Sequence, residues 1–200
     1  FNPLAYFATG MAVFFLMYTV TIGGRSILNE REDGTLTRML VTPTRYAQVL
    51  AGKVLGVYLS GLVQVTLLIG ASSLLFNLDW GAPAGIALLI IAVVAAATGW
   101  GMLLAASSKT PGQVNAVGTA MMLIFGILGG TFISIEAFSG FMRALSKITP
   151  HAWALDGFGS LVSGGGPADI MLPVLALLSM AALLFAAAVV VFQRRWVSVA

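Results

Sequence analysis

The chain of 200 residues is 59% hydrophobic and only 8% charged, with a mean hydropathy of +1.00. Soluble domains carry about a quarter of their residues as charges, so these values exclude that class and define an integral membrane protein. The net charge of +3 comes from Lys and Arg dispersed at segment ends, which excludes a nucleic-acid partner, and the absence of Cys excludes disulfides, thiolate metal sites and a Cys nucleophile.

Phe1-Asn2-Pro3 opens the chain without an initiator Met or a basic n-region, so no signal peptide is expected and the sequence reads as the later part of a longer polypeptide. Five apolar stretches follow, at about 4–24, 54–76, 83–106, 114–133 and 170–192, each close to the roughly 20 residues that a helix needs to cross a bilayer. They lack the alternation of a membrane barrel, and lipid offers backbone groups no partner outside their own helix. The expected fold is therefore an all-α polytopic bundle, one transmembrane domain over 1–200.

Span one carries Met11, Phe14, Phe15 and Tyr18, a sulfur-and-aromatic cluster that suits a greasy cargo and equally suits ordinary lipid. The segment 25–53 holds eight charged residues, Arg25, Glu30, Arg31, Glu32, Asp33, Arg38, Arg45 and Lys53. Ionised side chains are expensive in hydrocarbon, so this segment must stand in water. Gly34 interrupts the acidic run, and Thr35 can cap a short helix whose Leu36, Met39 and Leu40 fall on one face. Pro43 bends the chain and can open the next helix. The apolar stripe reads either as a surface lying on lipid or as knobs for a groove on a partner. In span two, Gly52, Gly56 and Ser60 form a small-residue ridge, and Gln64 reads first as an interhelical hydrogen-bonding group. Trp100 in span three reads as a packing residue. Span four brings Asn115 and Thr119, whose readings are interhelical hydrogen bonding or cargo contact, and a Gly126-x-x-x-Gly130 pair that permits close helix approach.

Between spans four and five, residues 134–169 form an interfacial segment. Phe138, Phe141, Met142 and Leu145 recur at helical spacing up to Pro150, and 151–162 reads as a second short helix stopped by Gly164, Gly165 and Gly166. Trp80, Trp153 and Trp196 fall near expected interfaces. The loops fix orientation, since Lys and Arg in short loops are retained inside. Eight of them (Arg25, Arg31, Arg38, Arg45, Lys53, Lys109, Arg194, Arg195) lie on one side and two (Arg143, Lys147) on the other. The charged segment and the C-terminus are thus expected to be cytoplasmic, and 134–169 external.

Other membrane functions meet an inventory problem. Intramembrane proteolysis needs a Ser–His pair, a metal motif or two carboxylates at membrane depth, whereas His151, Asp79, Glu136, Asp156 and Asp169 all fall in outer loops. His151 reads as a helix-start or interface residue outside the bundle. Buried carboxylates and repeated halves of an ion-coupled carrier, and the polar ring of a channel, do not appear. No Gly-x-x-x-x-Gly-Lys-Ser/Thr loop exists, so no ATPase or other catalytic residue is expected. A transporter not driven by ATP, or a structural membrane subunit, stays open as the alternative.

Glu30-Arg31-Glu32-Asp33-Gly34-Thr35-Leu36, then Leu40-Val41-Thr42-Pro43 and Gly52-Lys53, closely resemble the first cytoplasmic loop of type-2 ABC exporter permeases. Thr149-Pro150-His151-Ala152-Trp153-Ala154-Leu155-Asp156 resembles the Pro-x-x-Trp-Ala-Leu segment that precedes this family's last span. The resemblance covers essentially all of the chain, with the family's first span and the external region after it expected to be missing. It implies five spans of six, and an amphiphilic, drug-like, lipid or glycolipid cargo moved outward across the bacterial cytoplasmic membrane. It also implies a second permease subunit and a separate cytoplasmic subunit that holds ATP and Mg, no cofactor being bound by this chain. Glu30, Arg31, Glu32, Asp33, Gly34, Thr35, Leu36, Met39, Leu40 and Pro43 would form its coupling element, and Pro150, Trp153 and Asp156 would mark an external segment that dips back toward the membrane. Met11, Phe14, Phe15, Tyr18, Asn115 and Thr119 are the cargo-path residues expected.

Overall fold

The computed structural model describes residues 2–34 and 46–196, the side chains at 46, 47, 195 and 196 excepted. Among the described residues there is no strand; the chain forms α1 (Pro3–Glu32), α2 (Tyr46–Phe76), α3 (Pro83–Ser107), α4 (Pro111–Leu128), a 3₁₀ turn (Ile135–Ala137), α5 (Gly140–Ser146), α6 (Pro150–Val162) and α7 (Met171–Trp196). Five of these, α1, α2, α3, α4 and α7, are long and apolar enough to cross a membrane.

Helix starts follow a repeated local rule. Asn2, Thr110 and Thr149 each accept a backbone N–H from the first turn, and each is followed by a proline at the first helical position. Proline loses nothing there, because that N–H has no intrahelical acceptor. Gln113 strengthens the start of α4 by accepting the Lys109 N–H at 2.8 Å, close to a capping box. Helix ends rely on glycines in the left-handed region: Gly34 (φ 69°) follows α1, Gly130 (φ 97°) follows α4 and Gly164 (φ 89°) follows α6. Behind α4 the Gly130 N–H reaches the Ile127 carbonyl at 3.3 Å and the Thr131 N–H reaches the Gly126 carbonyl at 2.9 Å, a Schellman motif.

These ends differ from the hydropathy boundaries in two ways. α1 runs past Gly24 through Glu32, and α2 starts well before Val54, because hydropathy measures fit to lipid while Glu, Arg, Gln and Ala remain good helix formers in water. At a rise of 1.5 Å per residue, the 30 residues of α1 span about 45 Å, well beyond the roughly 30 Å of a hydrocarbon core. α4, in contrast, stops at Leu128 inside an apolar run, since Gly129 and Gly130 reverse the backbone. Gly126 and Gly130 therefore do not form a helical ridge: only Gly126 is helical, and it faces the rings of Phe14 and Phe132.

α3 is the central helix. Leu89, Ala92, Val93, Val94, Ala96 and Ala97 are fully buried, and α7 lies along α3 through Val174, Leu177, Ala181 and Leu184. Lipid gives two apolar helices no reason to leave it, so association depends on close packing. Small residues supply it: a Cβ on Gly101 would stand 2.8 Å from the Val20 carbonyl oxygen, and one on Gly24 would stand 3.0 Å from the Gly101 carbonyl oxygen. α1 thereby crosses α3 almost backbone to backbone, and it also packs on α2, α4 and α6. Leu59, Leu67, Leu74, Leu75 and Leu183 form part of the exposed apolar surface that suits lipid.

Candidate functional site

Three places gather the residues that the sequence singles out. The first is the charged end of α1 and α2. Glu30 and Arg31 sit in the last turn of α1 with Glu32, Asp33 caps it by donating its N–H to the Asn29 carbonyl at 2.8 Å, and Gly34 turns the chain. Lys53 of α2 forms an ion pair with Glu30, both side chains partly exposed. This pair clamps α1 to α2 on either side of the connector that carries Arg38 and Arg45. Thr35, Leu36, Met39, Leu40 and Pro43 of the expected coupling element lie outside the described residues. Sequence reading took Lys53 as a topology signal and as part of the loop motif; its spacing from Glu30 gives no hint of a partner until α1 and α2 are seen to run side by side.

The second place is the outward face shared by α1 and α4. The helices run antiparallel, with Gly118 facing Thr21 and Gly126 facing Phe14. Phe14 meets Phe15 and Phe132 edge-on at 5.8 and 5.3 Å, and Phe15 and Tyr18 are about half exposed. Met11 is half-buried, while Asn115 and Thr119 stand exposed on α4, one turn apart and beside Gly118. Neither of these polar side chains has a hydrogen-bond partner among the described residues, so the interhelical bonding that is one of their two readings is not made to any described helix. It occurs instead at Gln64, which accepts the Thr19 hydroxyl at 2.5 Å. Gly52 and Gly56 face open space, so their ridge brings no described helix close.

The third place is the opposite end, where α5 and α6 close over the bundle. Lys147 is its pivot. Its ammonium pairs with Asp156 and lies 4.5 Å from the centre of the Trp153 ring, and its carbonyl accepts the Trp153 indole N–H at 2.8 Å. The expected residues Trp153 and Asp156 are thus brought together, with Pro150 buried at the start of α6. Phe158 on α6 covers Trp80 edge-on at 5.7 Å, so Trp80 is buried instead of displayed at an interface. Trp100 packs on Phe125 at 5.0 Å, as its position suggested.

His151 departs from expectation. It starts α6, but it is fully buried, because α6 folds back onto α1, α3 and α7, and its Cβ abuts Gly129. Burial pushes its pKa down to about 3 from the ordinary 6.5, since the charged form would lose its hydration. Neither ring nitrogen has a partner among the described residues, so a neutral imidazole occupies an unfavourable seat.

Among the described residues no group of three or more His, Asp or Glu could hold a metal ion. What the arrangement offers is mechanical: a long helix joining a charged, clamped end to a packed opposite end. The sequence matches the family described as ABC-2 family transporter protein over residues 2–190. It is similar to the linearmycin resistance permease protein LnrN of Bacillus subtilis (strain 168), with 29% identity over 181 residues, 90% of this chain and 47% of that protein. The chain therefore spans about half the length of the curated relative it matches. No solved structure matches it.

Proposed function

We propose, from the premise that this chain belongs to the ABC-2 family of transporter proteins, that it is the membrane permease half of an exporter driven by a separate ATP-binding subunit. The observation that carries this reading is the reach of α1. One helix runs from the Glu30–Lys53 clamp to Asn2 beside α6, and it packs on α2, α3, α4 and α6 along the way. A push on the connector would tilt α1 as a lever, because packed helices shift as rigid bodies instead of deforming. The connector from Thr35 to Pro43, whose Leu36, Met39 and Leu40 have the sequence spacing of one helical face, is the joint with that subunit, which binds ATP and Mg. The eight-to-two distribution of Lys and Arg supports a cytoplasmic connector and an external α5–α6 end, in a bacterial cytoplasmic membrane.

The cargo is amphiphilic. Phe15, Tyr18, Asn115 and Thr119 present aromatic and uncharged polar groups on one exposed face of α1 and α4, which suits a greasy molecule with a few hydrogen-bonding groups better than a small ion. A second permease subunit facing this surface would complete the path. The resistance function in the name of the Bacillus relative supports an antibiotic or other drug-like cargo. The test is Leu36→Asp or Leu40→Asp in cells and in reconstituted complex. Membrane insertion should persist while transport and transport-stimulated ATP hydrolysis fall at least about tenfold, the loss expected when a charge enters an apolar contact. Normal export by a well-inserted variant would sink the proposal.

A further inference from the structure

A cavity of about 490 Å³ opens between the start of α1, the 3₁₀ turn, α5 and α6. It is separate from the α1–α4 face described above. Its floor is apolar, built from buried Ala5, Leu155 and Phe158. Four charged residues line it, Glu136, Arg143, Lys147 and Asp156. Two of them are already spent on each other, since Lys147 pairs with Asp156 and covers the Trp153 ring. The other two are not. Arg143 donates one Nη2 hydrogen bond to the backbone carbonyl of Glu136 at 3.3 Å, which leaves most of its guanidinium fork open. The Glu136 carboxylate has no side-chain partner among the described residues, and both side chains are exposed.

This pairing is unusual because the guanidinium is tethered to the same residue whose carboxylate it does not neutralise. The backbone contact places a guanidinium fork with open donors beside the residue that carries an unpaired carboxylate, on the lining of one cavity. A ligand with one charge would satisfy half of the arrangement and meet repulsion from the other half. A ligand with both charges a few bonds apart satisfies both, and an attached hydrocarbon would cover Leu155 and Phe158. The geometry points to a binding site for a zwitterionic amphiphile, in which a phosphate or carboxylate meets Arg143, a primary ammonium meets Glu136 and the tail lies on the floor formed by α6. The site does not rest on the transport reading, and its test needs neither ATP nor a partner subunit.

The full chain in lipid nanodiscs of neutral matrix is titrated with lysophosphatidylethanolamine, lysophosphatidylglycerol and O-phosphoethanolamine, which carry respectively both charges with a tail, the anion with a tail, and both charges without one. The wild type should prefer the first over each of the others by about tenfold, the factor that one charge-assisted hydrogen bond contributes. Arg143→Gln should weaken both tailed ligands, whereas Glu136→Gln should leave lysophosphatidylglycerol unchanged or tighter and erase the preference for the ethanolamine lipid. Both residues are exposed, so neither variant threatens folding, and a monodisperse elution profile confirms it. Equal wild-type affinity for the two tailed lipids, equal affinity for O-phosphoethanolamine, or insensitivity to both substitutions would overturn the assignment.

Discussion

At the charged end, α1 and α2 are joined by Glu30 and Lys53, a pair left partly in water. At the opposite end, Lys147 engages Asp156, the Trp153 ring and the Trp153 N–H together, and α6 buries His151 and shields Trp80. Both ion pairs are partly solvated and each is worth little by itself, but the Lys147 pair is interlocked with a ring contact and a backbone hydrogen bond, which together hold a fixed geometry. The difference teaches that the two ends are held by contacts of different kinds: one by a single ion pair, the other by several contacts converging on one residue.

Several substitutions break or sharpen this contrast. The largest effect belongs to the crossing that serves both ends: Gly101→Val drives a side chain into the Val20 carbonyl and should destabilise the bundle by about 3 kcal/mol, seen as loss of monodisperse protein in detergent. Next comes acidification of the seated end. The His151 pKa of about 3 lies below the ordinary 6.5, so the unfolded chain takes up the proton first; stability is full above pH 6.5 and declines as pH falls toward 3. Between pH 7 and pH 5 this should remove about 2 kcal/mol. His151→Met should remove that component of the decline in a thermal melt, and parallel curves for variant and wild type would contradict the neutral seat. Lys147→Met should cost about 1 kcal/mol and loosen α6, measured as faster backbone amide exchange in 150–162 than in α3. Smallest is Glu30→Gln, at roughly 0.5 kcal/mol or less in the same melt. If Glu30→Gln proved as damaging as Lys147→Met, the two ends would not differ as described.

The five spans and the two short helices before the last one were legible because hydrophobic runs and proline punctuation are local signals. The lengths of α1 and α2 were not, since nothing in a hydropathy window says that a helix continues once it leaves lipid. The early end of α4 was hidden for the opposite reason: Gly129-Gly130 is apolar, and its turn depends on backbone dihedrals, not on polarity. At the site, Trp153 and Asp156 could be singled out by motif, but Lys147, six and nine positions upstream, is joined to them only when α6 turns back after Pro150. His151 was read as peripheral because polar residues beside a proline usually are, and tertiary folding overrode that tendency.

The placement of the indoles has a practical consequence. Trp153 lies under an ammonium group and Trp80 edge-on to the ring of a residue on α6, whereas Trp100 contacts Phe125 within the span region. The three indoles among the described residues thus lie in two distinct environments, and two of them report on whether α6 is docked. Emission wavelength and iodide quenching can follow that docking in the unlabelled chain, with a Trp100→Phe/Trp196→Phe version removing the other two of its four tryptophans.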